Sequence, residues 1–503
     1  MNGAISTSHH LATEAGAEAL RAGGNAIDAA LAAAAVLCVV YPNNVALGGD
    51  LVALVRSPDG EVRFLNATGT APGGQSIEAL RESHGHALPL RHVDTITVPG
   101  GVRGWKALHD YGAQRSWAEH FSAAIEYARE GVPNSRSVAA ALVRDRETLQ
   151  QDPGASAVFY PHGEPLAQGE PLVQSALAQT LDRIASRGAD EFYVGETAER
   201  WVSGLAELGS KITLDDAAQY APYWAEPLER EFQGLRVLTS PPNTSGFMHL
   251  RVLGEVEDGI ADPLGSGAGQ LADAFYRANL VRSAFLADPL AGGIGGDELI
   301  SAAPPQQPIS GAQKASGDTV GFSAISADGW AVSFVNSVYW SFGAHILEPS
   351  TGVLFQNRGT AFSLDPTSPN AFAPGKRPRH TLMPVLVIDG AEVRYVTATM
   401  GGAAQPQIHT QLLLRSLAGA EPNEAVDAPR WMVDEVSAAG GRSVTIEEDV
   451  SAATMAALEA EGFSLRRVKS RSEELGHSNL IRVERDGYTA ASDPRSDGSA
   501  IVV

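Results

Sequence analysis

Apolar spacing along the chain passes between helical and strand-like stretches. Ala26–Val40 is Ala-rich, interrupted by Asp28, and predicts a buried helix of about fifteen residues, too short to span a membrane. Before it, Gly23-Gly24-Asn25 closes one helix and caps the next, because Gly and Asn tolerate left-handed backbone and an Asn side chain can take the first amides. Residues 117–144 and 175–208 keep a helical spacing, with Val132-Pro133-Asn134-Ser135 as a break in the first. Ile212-Thr213-Leu214-Asp215-Asp216 starts a short helix, and residues 271–287 predict an amphipathic one whose Arg277 and Arg282 are solvated or ion-paired. Residues 51–56, 232–238 and 394–399 read as strands. The strongest local signal is a pair of strand-like runs, 320–326 and 331–339, around Ala327-Asp328-Gly329, which predicts a β-hairpin. Upstream of it, residues 301–316 (SAAPPQQPISGAQKAS) predict a mobile linker that runs into the hairpin at Asp318-Thr319.

Composition narrows the class. A chain of 503 residues allows about three domains or one large two-part α/β unit, and composition does not choose between them. The formal charge is 37 − 59 = −22. With no Lys/Arg-rich tract, this points to a soluble protein with neither a nucleic-acid footprint nor a membrane partner. Cys38 is the only cysteine, so no intrachain disulfide can form, and its apolar setting fits a buried thiol. Residues 1–10 carry no basic n-region and no long apolar run, so a secretory signal is not expected and the expected location is cytoplasmic. No zinc spacing, phosphate loop or dinucleotide fingerprint occurs, so neither metal nor cofactor is expected.

Thr319 is the candidate nucleophile. A linker running into a strand at Asp318-Thr319 suits a self-processing enzyme: the Thr hydroxyl attacks its own preceding carbonyl, an N-to-O acyl shift follows, and water cuts the ester. The freed α-amino group, with an ordinary pKa of about 7.7 to 8.0, then serves as the base for its own hydroxyl. On composition alone Thr319 also reads as an ordinary strand threonine.

A series of ordered motifs decides between these readings. His10-Leu11-Ala12-Thr13 with Gly16, Gly23 to Ala30, Leu47-Gly48-Gly49-Asp50, Val98-Pro99-Gly100 with Gly104-Trp105, and Pro241-Pro242-Asn243-Thr244-Ser245-Gly246 come first. Asp328-Gly329, Ser341-Phe342-Gly343, Met400-Gly401-Gly402, Asp493-Pro494-Arg495 and Asp497-Gly498 follow. In this order the chain resembles the γ-glutamyltransferase family of N-terminal nucleophile hydrolases over nearly its whole length. The resemblance implies an αββα four-layer sandwich, with a large fragment 1–318 ending in the linker at about 301–318 and a small fragment 319–503. The two fragments would share one core and stay associated after cleavage.

The resemblance also assigns site residues. Thr319 is the nucleophile, Ser337 orients it, and Gly401 and Gly402 form an oxyanion hole, although without the resemblance the two glycines read as a turn. Where glutathione-cleaving members have an arginine for the substrate α-carboxylate this chain has Thr68. Where they have an aspartate for the α-ammonium it has Ala361, and where they have an asparagine it has Tyr339. Asn357 and Arg358 lie in QNRG, a segment that looks more like the acylase and amidohydrolase-like branch. Arg358 either points inward from the pocket rim to receive a carboxylate or oxalyl-type group, or makes a surface ion pair. His380-Thr381 replaces a pocket-closing serine pair, and His380 either donates to substrate and shuttles a proton or is structural.

The implied activity is hydrolysis of an amide of a small carboxylated substrate through an acyl-enzyme, in place of glutathione cleavage. One alternative is carbon–carbon bond hydrolysis releasing an oxalyl fragment in antibiotic (alkylproline) biosynthesis. Another is an unprocessed binding relative. The partner in each case is a small molecule, and a homo-oligomer is compatible with the sequence.

Overall fold

The computed structural model describes residues 2–306, 318–435 and 441–503, with Asp318 described by its backbone alone. The expected linker therefore lies largely outside the described residues, beyond the short helix Gly296–Ser301.

Ala26–Val40 forms the buried helix, and all its residues are inside. Asn25 caps it, accepting from the amides of Ile27 and Asp28 at 2.9 and 3.2 Å, while Asp28 returns a bond to the Asn25 amide at 2.8 Å. Gly23, at φ 86°, makes the reversal before it.

Two large sheets dominate the described residues. The first has seven strands in the order Ser499–Val502, Gly3–Thr7, Asp318–Ser326, Ala331–Tyr339, Asp50–Arg56, Val62–Ala67 and Tyr223–Ala225. The second has six: Gly487–Ser492, His477–Glu484, Glu392–Met400, Val385–Asp389, Leu235–Thr239 and Leu228–Phe232. All of their pairings are antiparallel.

The sheets meet through an apolar core that includes Val52, Leu54, Val335, Leu386, Val396 and Ile481. Gly321 makes the close approach possible, since a Cβ there would stand 2.4 Å from the Thr399 amide nitrogen. The helix Ala26–Val40 packs with Phe322, Phe334 and Val338 of the first sheet. The helix Gly246–Glu257 packs on Leu228–Phe232 and Leu235–Thr239 of the second sheet, and the helices Gln405–Leu417 and Pro422–Asp427 pack on its strands Glu392–Met400, His477–Glu484 and Gly487–Ser492. No described helix is long and apolar enough to cross a membrane.

One local expectation is corrected and two are borne out. The strand expected over 232–238 begins only at Leu235, because a hairpin turn at Gln233 (φ 52°) and Gly234 (φ 78°) separates Leu228–Phe232 from Leu235–Thr239. Two successive positive φ values match the twist of a two-residue hairpin turn. The stretch 117–144 divides into Trp117–Phe121, Ser122–Glu130 and Arg136–Arg144. Arg282 is buried and ion-paired with Glu435 at 2.5 Å, because the helix Ala268–Phe285 is enclosed on most faces.

Candidate active site

Thr319 lies at an irregular step in its hairpin. Val320 pairs with Asn336 and Asp318 with Tyr339, so Thr319 alone faces both Ser337 and Val338. Such a bulge bends a strand and re-aims its side chains. Here it brings Thr319 Oγ1 to 2.9 Å from Ser337 Oγ, and Ser337 Oγ also accepts the Tyr339 N–H at 2.8 Å. From the other side, Asn44 Nδ2 donates to the Thr319 carbonyl at 3.1 Å. Asn44 escaped the sequence reading, although a pair of amides, Asn43-Asn44, directly after an apolar run was an available signal.

Met400 ends the central strand of the second sheet, and Gly401 and Gly402 follow at φ 156° and 53°. Gly402 occupies a region that side chains disfavour. Among the described residues neither glycine N–H has a backbone acceptor. The relation to Thr319 follows from the register between sheets. Ser333, opposite Ser323, donates to the Thr397 carbonyl at 2.6 Å, and Gly321 packs on Thr399. Two further residues along both strands lead to Thr319 and Gly401. Behind them Gly476 abuts the Met400 carbonyl. Arg430 holds the Gly476 carbonyl at 2.8 Å and Asp493 at 2.8 Å, and Arg495 pairs with Glu447 at 2.5 Å. These groups brace the glycine loop from within the core.

Tyr339, two residues beyond Ser337, is held at φ 80°. The Arg358 guanidinium lies 3.6 Å above its ring, a cation–π contact, and Arg358 Nη1 donates to Thr381 Oγ1 at 3.3 Å. Arg358 is 1% exposed, so the rim and surface-ion-pair readings give way to a buried cation. Its enclosure, not accessible from a QNRG motif, comes from Tyr339 and Thr381. Burial lowers its pKa to about 10.

His380 faces Asp50, with Nε2 3.0 Å from Oδ2, while the Leu382 N–H reaches Nδ1 at 3.4 Å. Burial, reinforced by Arg358, pushes His380 down to about 4, so it is neutral near pH 7. With both ring nitrogens engaged, the expected proton shuttle is replaced by a buttress. Asp50 is the residue the sequence placed only inside a turn motif. It stands in register opposite Ser337, and its other oxygen accepts the Gly69 N–H at 2.8 Å.

Thr68 is fully buried, and its hydroxyl donates to Asn66 Oδ1 at 2.7 Å. Asn357, expected to bind substrate, instead spends its amide on the fold: Nδ2 donates to the Leu90 carbonyl at 2.8 Å and Oδ1 accepts the Trp340 N–H at 3.2 Å. The structure thus gathers Thr319, Ser337, Tyr339, Arg358, Thr381, His380 and Asp50 into one connected ring of contacts.

Sequence spacing flagged no metal site. Among the described residues one group, His84, His92 and Asp94, has donor atoms within 4.8 Å of one another, and it already forms the hydrogen bond His84–Asp94 at 2.8 Å.

Comparison with known proteins places the chain in a family. The family model described as Gamma-glutamyltranspeptidase matches residues 12–503. A glutathione hydrolase-like YwrD proenzyme of Bacillus subtilis is 34% identical, over 98% of this chain and 97% of its own. An oxamate amidohydrolase proenzyme of Klebsiella pneumoniae is 35% identical, again over 98% and 97%. The crystal structure of a cephalosporin acylase from Bacillus halodurans superimposes with a TM-score of 0.90 at 30% identity, covering 99% of this chain and 95% of that one. The chain therefore belongs to the gamma-glutamyltranspeptidase family and is an enzyme of its hydrolase type.

Proposed function

We propose that this protein is a self-processing amide hydrolase that uses Thr319 as an N-terminal nucleophile on a small carboxylated substrate. The observation that carries the reading is the 2.9 Å contact between Thr319 Oγ1 and Ser337 Oγ at the bulge. The likeness to proteins named as proenzymes, including the oxamate amidohydrolase, supports it.

In maturation, Thr319 Oγ attacks the Asp318 carbonyl, the peptide C–N bond breaks as an ester forms, and water releases the Asp318 carboxylate and the Thr319 amine. In turnover that amine takes the hydroxyl proton and Oγ adds to the substrate carbonyl, with the resulting oxyanion held by the Gly401 and Gly402 N–H groups. The leaving amine departs with the proton, and water hydrolyses the ester.

The domains follow from this cut. Fragments 1–318 and 319–503 fold as one αββα sandwich, and both sheets combine strands from each side of Thr319. Gly3–Thr7 is paired on both edges by strands of the small fragment, so separating the pieces would dismantle the sheet. Free γ-glutamyl substrates are disfavoured, because Thr68 and Ala361 supply neither of the two charges that would hold the glutamyl head.

Intact mass of wild type beside Thr319→Ala tests the mechanism. Two fragments after Asp318 from wild type and one chain from the variant support it; a folded wild type that stays whole overturns it. A screen with γ-glutamyl anilide, short carboxylated amides and a pyrroline keto acid then separates amide cleavage from carbon–carbon cleavage.

A further inference from the structure

Among the described residues, Arg358 is a buried charge with little to offset it. Burying an ion costs several kcal/mol unless a counter-charge and hydrogen bonds offset it. Arg358 has one bond, from Nη1 to Thr381, while its Nε and Nη2 have no hydrogen-bond partner. Among the described residues no carboxylate oxygen lies within 4.0 Å of its guanidinium. The two unpartnered nitrogens form one edge of the planar group, with their N–H bonds parallel, the edge that grips a carboxylate with two bonds at once.

The neighbouring charges point the same way. Arg282 and Asp50 both act on Arg358, and Arg379 shares Tyr339 and Arg282 as electrostatic neighbours. The nearby anions are already engaged: Asp50 with His380 and the Gly69 amide, Glu435 with Arg282. Among the described residues the carboxylates near Arg358 already accept hydrogen bonds or an ion pair, so a chain of net charge −22 holds a cationic group here whose free edge suits an anion better than an ammonium. A short run of contacts joins it to the proposed nucleophile. Ser337 Oγ touches Thr319 Oγ1 and the Tyr339 amide, and the Tyr339 ring carries Arg358, so two residues, Ser337 and Tyr339, link hydroxyl to cation.

We propose that the Nε–Nη2 edge of Arg358 is the carboxylate anchor, and that the substrate acyl group is short, carries one carboxylate next to the scissile carbonyl and has no free α-ammonium. The proposal deepens the Thr319 reading and depends on it only for where the scissile carbonyl lies. Tyr339 acts as the floor that fixes the guanidinium plane, and Thr381 takes the nitrogen that the carboxylate does not use.

The test separates anchor from nucleophile. Intact mass first reports whether the chain splits after Asp318. Oxalate, which has no amide to cleave, is then titrated calorimetrically into wild type, Arg358→Met and Arg358→Lys. Ammonia release from oxamate and from pyruvamide, its uncharged counterpart, is followed alongside. Loss of a two-bond charged contact should weaken oxalate binding about tenfold to a hundredfold in Arg358→Met. Arg358→Lys, which keeps the charge and loses the fork, should fall between. The preference of wild type for oxamate over pyruvamide should collapse in Arg358→Met through KM. A wild type that fails to bind oxalate at millimolar concentration, or an Arg358→Met or Arg358→Lys protein that binds it as wild type does, overturns the anchor. Arg358-dependent oxalate binding in a chain that stays whole would keep the anchor while sinking the Thr319 mechanism.

Discussion

The Ser337 hydroxyl stands 2.9 Å from that of Thr319 and 2.8 Å from the Tyr339 amide nitrogen, so one oxygen ties the proposed nucleophile to the residue beneath Arg358. Ser337→Ala should therefore slow both maturation and turnover, by about tenfold to a hundredfold if one positioning hydrogen bond in the transition state is lost. Thr319→Ser keeps a hydroxyl and should still split. A mass time course after expression at low temperature checks both, and unchanged splitting in Ser337→Ala would remove Ser337 from the mechanism.

Stability should fall on the acid side well before most carboxylates titrate. Burial pushes His380 and His477 down to about 4 and His249 and His9 to about 3, against an ordinary value of 6.5. A group whose folded value is lowered stabilises the fold fully above its unfolded value and loses that contribution as pH drops, here between about 6.5 and 4. Each such histidine accounts for about 3 kcal/mol by pH 4. Thermal melts in steps between pH 7 and 4 should show the decline. His249→Gln, away from the Thr319 ring and bonded to Thr410 at 2.8 Å, should flatten it. An acid limb that is as steep in that variant would assign the loss to other groups.

Asp50→Asn addresses the buttress. The carboxylate accepts from Gly69 at 2.8 Å and meets His380 at 3.0 Å, and the neutral amide weakens both bonds. A loss of about 2 kcal/mol in denaturant unfolding is expected. Because Asp50 opposes an incoming anion, carboxylate binding should hold or tighten in the variant even as stability falls. Weaker oxalate binding with unchanged stability would reverse the roles assigned to Asp50 and Arg358.

What was legible in the chain was local chemistry. The Asn25 cap, the Thr213 helix start and the hairpin at Ala327-Asp328-Gly329 each depend on residues a few positions apart, and each formed where the spacing put it. Gln233-Gly234 failed for the opposite reason: a Gln-Gly turn inside LEREFQGLRVLT lacks the Asn-Gly or Asp-Gly pair that marks a two-residue hairpin, so it leaves little mark. The site mixes both cases. Thr319 and Ser337 share a hairpin, whereas Asp50 and His380 are 330 positions apart and meet only through the tertiary fold. For Asn357 the sequence could show an amide but not that both its ends are used by the Leu90 and Trp340 backbone. Arg358 was legible as a cation and not as a buried one, since its cover comes from residues on two other segments.

That cover leads to the most discriminating stability measurement. A structural arginine makes bonds whose loss costs stability, whereas among the described residues Arg358 has two nitrogens without a partner and no carboxylate within 4.0 Å. Replacing an uncompensated buried ion with an apolar side chain of similar length removes its desolvation cost, an exchange worth roughly 1 to 4 kcal/mol in favour of the fold. The cation–π contact with Tyr339 offsets part of this, on the order of 1 to 2 kcal/mol. Ligand-free Arg358→Met should thus melt at or above the wild-type midpoint, and added oxalate should raise the midpoint of wild type alone. A variant that melts several degrees lower, with no oxalate effect on either protein, would make Arg358 a structural residue held by its stack on Tyr339.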